Sequence, residues 1–167
     1  RDSFVAAQST GVFTLNDTMK QELIARGVQS DVIRLVPNGL SSVSQLNVNS
    51  QELRESLGID ANDNVIGYVG SFNSYEGIED LIEAVAQLNA TEQTVKLLLV
   101  GDASAITKLG ASSDSIDSAP WLIKTGRVPH DDVIKYFSVI DTIVIPRRNE
   151  QVCTIVPPMK IVEAISF

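Results

Sequence analysis

The sequence is poor in the residues on which disulfide frameworks and metal sites depend. It has one cysteine, Cys153, and one histidine, His130, among 167 residues. A single cysteine cannot form an internal disulfide, which favours a reducing compartment. No cysteine pair or second histidine offers the ligand spacing of a zinc site, so the sequence predicts no metal site. We interpret Cys153 as a small packed hydrophobe and His130 as a surface residue at a helix start.

Long apolar runs and an excess of basic charge are also lacking. No apolar run approaches the ~18 residues of a membrane span, and no basic-then-apolar leader opens the chain. With 13 basic and 21 acidic residues the net charge is −8, which argues against nucleic acid or an anionic membrane as the main partner. The chain begins at Arg1 and ends at Phe167 inside an apolar-periodic segment without a capping glycine, so we expect a fragment of a longer protein.

What the sequence does contain is an alternation of strand and helix patterns. Val95–Val100 is almost wholly apolar, as in a parallel strand that is buried on both faces. Ile78–Leu88 is apolar on one face only, as in an amphipathic helix. The alternation predicts an α/β fold, a Rossmann-like parallel sheet with helices on both faces. The other predicted strands are Gly11–Leu15, Val32–Val36, Val65–Val69, Trp121–Thr125 and Thr142–Ile145, and the other predicted helices are Thr18–Arg26, Gln51–Leu57, Asp131–Ser138 and a last one from about Met159.

Ligands of such sheets bind in the loops that follow the carboxyl ends of the strands. The candidate loops here are Gly70–Gly77, Gly101–Ala103, Gly126–His130 and Arg147–Lys160. The first of them is not a GxGxxG sequence, so it does not signal a nicotinamide dinucleotide site. The sequence also contains no P-loop and no GxSxG motif.

Positive charge concentrates in the last of these loops. Arg147 and Arg148 follow a predicted strand, and Lys160 stands near the start of the last helix. Paired arginines and a helix N-terminus suit phosphate oxygens, although a solvated surface patch explains two adjacent arginines equally well. Glu163 lies on the same helix face as Lys160, where it would accept hydrogen bonds from ribose hydroxyls or simply pair with the lysine.

Five segments together resemble one family. The order and spacing of these segments are similar to the group 1 glycosyltransferases, which are retaining enzymes of the GT-B fold. The resemblance extends over nearly the whole chain, and it is specific only when the segments are taken jointly. The segments are VPNGL (36–40), IGYVGSFNSYEGIEDLIEAV (66–85), LLLVGDA (97–103), GRVPHDDVIKYFSVIDTIVIPRR (126–148) and PPMKIVEAIS (157–166).

The resemblance implies a domain division and a chemistry. Residues 1–44 would be the end of an acceptor-side N-terminal domain with its linker, and residues 45–167 a nucleotide-sugar-binding domain that lacks its C-terminal end. The missing remainder of the two-domain enzyme would be the partner of this fragment, which would be inactive alone. The family transfers a sugar, with retained configuration, from a nucleotide-diphosphate donor to a glycan, lipid or small-molecule acceptor. It requires no metal or other cofactor.

The family's site residues are carried over by position. Gly70, Ser71 and Phe72 would approach the diphosphate or the sugar, and Arg127, Val128 and Pro129 would lie along the nucleobase. Lys160, Ile161 and Val162 would meet the diphosphate, and Glu163 would hold the ribose. The catalytic set is then Glu163, Lys160, Arg147 and Arg148, which would stabilise the leaving diphosphate electrostatically.

The sequence departs from the family pattern at two places. The first acid of the family's usual pair would fall at Thr154 or Ile155, and neither is acidic. Glu76 stands where the family often has a lysine, and Arg147 and Arg148 would supply the missing charge. Two alternatives therefore stay open, a non-catalytic nucleotide-sugar-binding or scaffold homologue and a nucleotide-sugar epimerase. We expect a cytoplasmic protein, and peripheral association with a membrane is left open.

Overall fold

The computed structural model describes residues 2–39, 49–91, 94–102 and 118–165. The proposed boundary between residues 44 and 45 and most of the linker that precedes Gln51 lie outside these ranges, as do Ala103 and the last two residues. The described elements, in chain order, are α1 (Asp2–Ala7), β1 (Val12–Thr14), α2 (Asp17–Ala25), β2 (Ile33–Leu35), α3 (Ser50–Ser56), β3 (Asn64–Val69), α4 (Ile78–Asn89), β4 (Val95–Val100), β5 (Leu122–Gly126), α5 (His130–Phe137), β6 (Thr142–Ile143), α6 (Gln151–Ile155) and α7 (Met159–Ile165), with single 3₁₀ turns at Ser30–Val32 and Ser74–Glu76.

The N-terminal segment forms a small β-α-β unit. Strands β1 and β2 pair in parallel, and α2 connects them. Asn16 begins α2 as its N-cap, because its side-chain oxygen accepts a hydrogen bond from the Met19 amide at 2.8 Å. The amide nitrogen of the same side chain donates to the Ile155 carbonyl at 2.8 Å, at the end of α6. One side chain thus caps a helix and ties this unit to the loop region after β6.

The second segment forms a four-stranded parallel sheet in the order β5-β4-β3-β6. Because residues alternate between the two faces of a strand, β4 contributes side chains to two separate hydrophobic cores. Leu97 and Leu99 pack with the apolar face of α4 on one side, and Leu98 and Val100 pack with Phe137 of α5 and with residues of α3 on the other. The predicted α/β fold with helices on both faces is therefore confirmed.

The predicted loop Arg147–Lys160 is wrong as a single loop, because α6 occupies Gln151–Ile155 and α7 begins at Met159. Valine, threonine and isoleucine fill much of this turn, and their weak helix propensity hides it in the sequence. Strand β6 also ends at Ile143, two residues before the predicted end. Among the described helices, none combines the length and the apolar character needed to cross a membrane.

Candidate functional site

The candidate site lies where the strand order reverses. Strand β3 lies between β4, the next strand along the chain, and β6, the last one, so the strand order reverses at β3. A crevice outside the carboxyl ends of such strands is the usual ligand site of this architecture. We call Gly70, Glu76, Arg147 and Lys160, which meet at this point, the inner rim.

Glu76 is the centre of the inner rim. The residue as a whole is 2% exposed, and it is the one charged residue among those that the described part of the chain buries. The Arg147 guanidinium donates a hydrogen bond to each carboxylate oxygen, at 3.1 Å to Oε1 and 3.4 Å to Oε2. The Lys160 ammonium lies 3.1 Å from Oε2. A single carboxylate therefore faces two cations that come from two later segments of the chain.

Tyr68 completes the surroundings of Lys160. The Lys160 ammonium donates a hydrogen bond of 2.7 Å to the Tyr68 hydroxyl and lies 4.7 Å from the centre of the tyrosine ring. The hydroxyl itself donates to the Ser71 carbonyl at 2.9 Å. The phenol therefore joins the backbone of the loop after β3 to the lysine of α7.

The pKa shifts in this cluster agree with its geometry. Burial, reinforced by the negative charge of Glu76, raises the pKa of Tyr68 far above its usual value, so the phenol stays protonated. Burial alone would raise the pKa of Glu76 as well, but hydrogen bonds from Arg147 and Lys160 outweigh it and lower that pKa below its usual 4.5. At neutral pH the cluster holds one carboxylate, two cations and a neutral phenol.

Two glycines let the segments of the inner rim approach one another. Gly70 has φ +143°, and a Cβ there would lie 2.1 Å from Cε of Lys160. Gly77 has φ +68°, and a Cβ there would lie 2.2 Å from the Pro146 carbonyl oxygen. A side chain at either position would meet both backbone strain and a close contact. The lysine stem can cross the end of β3 only because residue 70 is a glycine.

Arg148, the other arginine predicted for the site, contacts the start of α4 instead of the inner rim. Arg148 pairs with Asp80 at 3.1 Å and with Glu79 at 3.3 Å, both in the first turn of α4. These contacts, together with the bond from the Arg148 amide to the Tyr75 carbonyl at 3.0 Å, fasten the loop after β6 to the start of α4. Arg147 and Arg148 both contact carboxylates of this chain, and their predicted roles at a donor phosphate stay predictions.

The loops after β4 and β5 form a second region, the outer rim, which comprises Gly101, Asp102, Gly126 and Arg127. The Arg127 side chain is 85% exposed, and its guanidinium lies 4.0 Å from the Asp102 carboxylate. Next to it, Val128 is half-buried and packs on the core of α3 and α5, whereas Pro129 and His130 are exposed. His130 begins α5, as the sequence predicts.

The remaining residues that the sequence predicts to bind the sugar donor differ in how exposed their side chains are. Ser71 is exposed, but Phe72 is 5% exposed and lies in the core, 5.7 Å from the Tyr68 ring, so only its backbone reaches the loop surface. Ile161 and Val162 are exposed in the first turn of α7, and Glu163 is half-buried one residue further on. The structure therefore gathers Gly70, Arg147 and Lys160 at one place and leaves Arg127 to Pro129 at the other end of the same edge.

Two residues that sequence reasoning did not place in the site carry its geometry. Tyr68 reads as an ordinary core residue of a strand, and the sequence gives Glu76 only as a departure from a family pattern. The one usable signal is charge, since an acid directly before Gly77 and two later cations could neutralise one another. The sequence cannot show that they meet, because Glu76 and Arg147 are far apart along the chain. Within the described ranges, no group of three histidine, cysteine, aspartate or glutamate side chains could hold a metal ion.

The comparisons with known proteins point to one family. The family described as glycosyl transferases group 1 matches residues 49–167. A lipopolysaccharide 1,2-N-acetylglucosaminetransferase of Salmonella typhimurium is 26% identical over 127 residues, which are 71% of this chain and 33% of that protein. A 2-deoxystreptamine glucosyltransferase of Streptomyces kanamyceticus is 23% identical over 148 residues, 86% of this chain and 38% of that protein. The chain thus spans roughly a third of the length of these curated relatives.

Solved structures show the same fold. Anabaena Alr3699/HepE in complex with UDP-glucose matches 98% of this chain and 44% of its own length, with a TM-score of 0.77 and 20% identity. Sucrose-phosphate synthase from Thermosynechococcus elongatus matches 98% of this chain and 40% of its own length, with a TM-score of 0.73 and 22% identity.

Proposed function

The chain belongs to the family of group 1 glycosyl transferases, and we propose that it supplies the nucleotide-sugar site of an enzyme that transfers a sugar from a nucleotide-diphosphate donor. The observation that carries this proposal is the Lys160 ammonium, which lies against Gly70 at the carboxyl end of β3. A fixed cation beside a bare backbone suits a diphosphate group. The complex of Anabaena Alr3699/HepE with UDP-glucose supports a nucleotide-sugar as the ligand.

In this proposal the inner rim binds the diphosphate and the outer rim the nucleoside. Lys160 neutralises charge on the leaving diphosphate as the bond to the sugar breaks, which is where electrostatic stabilisation contributes most. The exposed loop from Arg127 to Pro129 lies along the base, and Glu163 holds the ribose. Residues 45–167 form the donor domain, and residues 1–44 end the acceptor-side domain. The family match begins at residue 49, close to that boundary.

The stereochemistry, the acceptor and the cellular location belong to the proposal as well. We assign a retaining reaction that uses a glycan, lipid or small-molecule acceptor in the cytoplasm, and peripheral membrane association of the whole protein stays open. The names of the curated relatives support polysaccharide or small-molecule glycosylation, since one is a lipopolysaccharide and the other a 2-deoxystreptamine transferase.

The direct test is donor hydrolysis and transfer by the intact protein. Candidate UDP-, GDP- and ADP-sugars are incubated with the protein, and NMR of the released or transferred sugar reports its anomeric configuration. We expect one donor to be consumed with retained configuration, and Glu163→Ala to weaken its use. Inverted product would contradict the retaining assignment, and binding without consumption of any donor would leave a nucleotide-binding protein instead.

That second function, a non-catalytic nucleotide-sugar-binding homologue, is favoured by one observation. Thr154 is exposed on α6, and its hydroxyl donates to the Gln151 carbonyl at 2.9 Å, at a position where the family usually has an acid. Thr154→Glu restores a carboxylate there. A gain of donor hydrolysis in this variant over an inactive parent would support the non-catalytic function, and an active parent would exclude it.

A further inference from the structure

We infer that Tyr68 and Glu76 are positioning residues, which hold the Lys160 ammonium at the inner rim with one N–H left for a phosphate oxygen of the donor. The inference rests on the proposed function, and it adds two residues that the family pattern does not assign.

The first step concerns Lys160. A lysine has a flexible four-carbon stem, and it loses much rotamer freedom when its ammonium must stay at one point. Here the ammonium has two fixed acceptors, the Tyr68 hydroxyl at 2.7 Å and Glu76 Oε2 at 3.1 Å. Its stem passes directly over Gly70. Two of its three N–H groups thus have acceptors. The Lys160 side chain is 15% exposed, which leaves the third N–H for an anion at the edge of the sheet.

The second step concerns Tyr68, which is itself immobile. Its side chain is fully buried in the core under α4. Burial and the neighbouring Glu76 carboxylate, which also forms a hydrogen bond with the hydroxyl, raise the pKa of Tyr68 and keep the phenol neutral. The hydroxyl donates to the Ser71 carbonyl at 2.9 Å, and its oxygen accepts from Lys160. The phenol sets the distance between the lysine and the backbone of the loop that would approach the diphosphate.

The third step concerns the charge of Glu76. Arg147 holds the carboxylate through two nitrogens and donates from its third nitrogen to the Val156 carbonyl at 2.8 Å. With Lys160 added, the cluster carries two positive charges and one negative charge. A buried excess of positive charge is unfavourable until an anion reaches it. Glu76 keeps the two cations together, and a diphosphate supplies the remaining negative charge.

A purely structural ion cluster would have the same contacts, so the test must separate the two. Titration calorimetry of the intact protein with UDP, and in parallel with GDP and ADP, gives the parent affinities. If the parent binds none of them, the proposed function fails and this inference fails with it. If it binds one of them, that nucleotide is the probe for a double-mutant cycle between residues 68 and 160.

For a positioning role the cycle is expected to be non-additive. Lys160→Met should lower the affinity for the nucleoside diphosphate by about 10- to 100-fold, and Tyr68→Phe should lower it by about 3- to 10-fold. In the Lys160→Met background, Tyr68→Phe should change the affinity by less than about twofold. The matched control is Tyr136→Phe on α5, a half-buried tyrosine that packs in the core on the other face of the sheet, and it should leave the affinity unchanged.

The nucleoside without phosphates gives the second measurement. Uridine, guanosine or adenosine, matched to the preferred base and followed by ligand-observed NMR, should bind the parent and the Tyr68→Phe variant equally. A structural defect would weaken nucleoside and diphosphate alike. Glu76→Gln, which keeps the shape of the side chain, is the second variant, and its effect on the diphosphate should also vanish in the Lys160→Met background. Losses that add, or that are equal for nucleoside and diphosphate, would overturn the inference while the proposed function stands.

Discussion

The inner and outer rims end the same parallel sheet, yet they hold their charges in opposite ways. At the inner rim the exposed fractions of the Glu76, Arg147 and Lys160 side chains are 3%, 17% and 15%. At the outer rim the Arg127 and Asp102 side chains are 85% and 49% exposed and 4.0 Å apart. Buried charges must be paired and fixed, whereas exposed ones are screened by water. The inner rim is therefore preorganised, whereas the outer rim can adapt.

This contrast fits a donor with two unlike halves. A diphosphate has the same charge and shape in every nucleotide-sugar, so a rigid site can serve it. A nucleobase needs selective contacts, which exposed loops supply more readily. Substitutions of single residues at the two rims test this contrast.

Glu76→Ala should give the largest loss of stability. It leaves Arg147 and Lys160 buried without their shared carboxylate, and removing one partner of a buried ion pair typically costs about 3–5 kcal/mol. Arg127→Ala at the outer rim should cost less than about 1 kcal/mol. Denaturant unfolding followed by circular dichroism measures both. Equal losses in the two variants would show that the two rims do not differ as the burial indicates.

Gly70→Ala should have the next largest effect. A residue with a Cβ rarely adopts φ +143°, and holding it there costs about 1–3 kcal/mol. The new methyl group would also displace the Lys160 stem. Gly126→Ala, with φ +74° and no atom within 4 Å of the added Cβ, carries the backbone strain without the contact. We therefore expect Gly70→Ala to lower both stability and UDP affinity, and Gly126→Ala to lower stability alone. If Gly126→Ala lowered the UDP affinity as much as Gly70→Ala does, displacement of the Lys160 side chain could not be the cause of the loss.

A smaller effect is expected from pH. The lowered pKa of Glu76 means that the folded protein binds fewer protons there than the unfolded chain does. Its contribution to stability is then complete above the usual pKa of 4.5 and is lost as the pH falls through the lower folded value. The stability advantage of the parent over Glu76→Gln should shrink on acidification below about 4.5. The difference in the free energy of unfolding between the parent and Arg127→Ala should change less over the same pH range. Unfolding curves at several pH values measure both differences.

The sheet and its loops could be predicted from the sequence because they depend on local pattern. The strand prediction Val95–Val100 is confirmed residue for residue, and the helix predicted from Ile78 ends one residue later than expected. Both segments have strong periodicity and belong to the buried core. Helix α6 was missed because it is a single turn without that periodicity. Its fixing contacts come from distant residues, such as the Asn16 side chain at the Ile155 carbonyl.

The candidate site was predictable in part. Position after a strand was enough to select Gly70 and Arg147, and position near the start of the last helix selected Lys160. The structure brings the three together. It was not enough to assign a partner to each cation, because Arg147 and Arg148 are adjacent in sequence but contact different carboxylates. Tyr68 and Glu76 emerge only from three-dimensional contacts, since a tyrosine in a strand and an acid before a glycine have no special sequence signature.

The most direct test of a diphosphate site at the inner rim is the affinity of the intact protein for UDP, measured by titration calorimetry on two lysine variants. Lys160→Met removes the cation of the inner rim, and Lys135→Met removes an exposed cation of α5 that pairs with Asp132. We predict that Lys160→Met lowers the affinity for UDP by at least about tenfold. Lys135→Met should bind UDP with the affinity of the parent. Equal affinities in the parent and both variants would contradict the account.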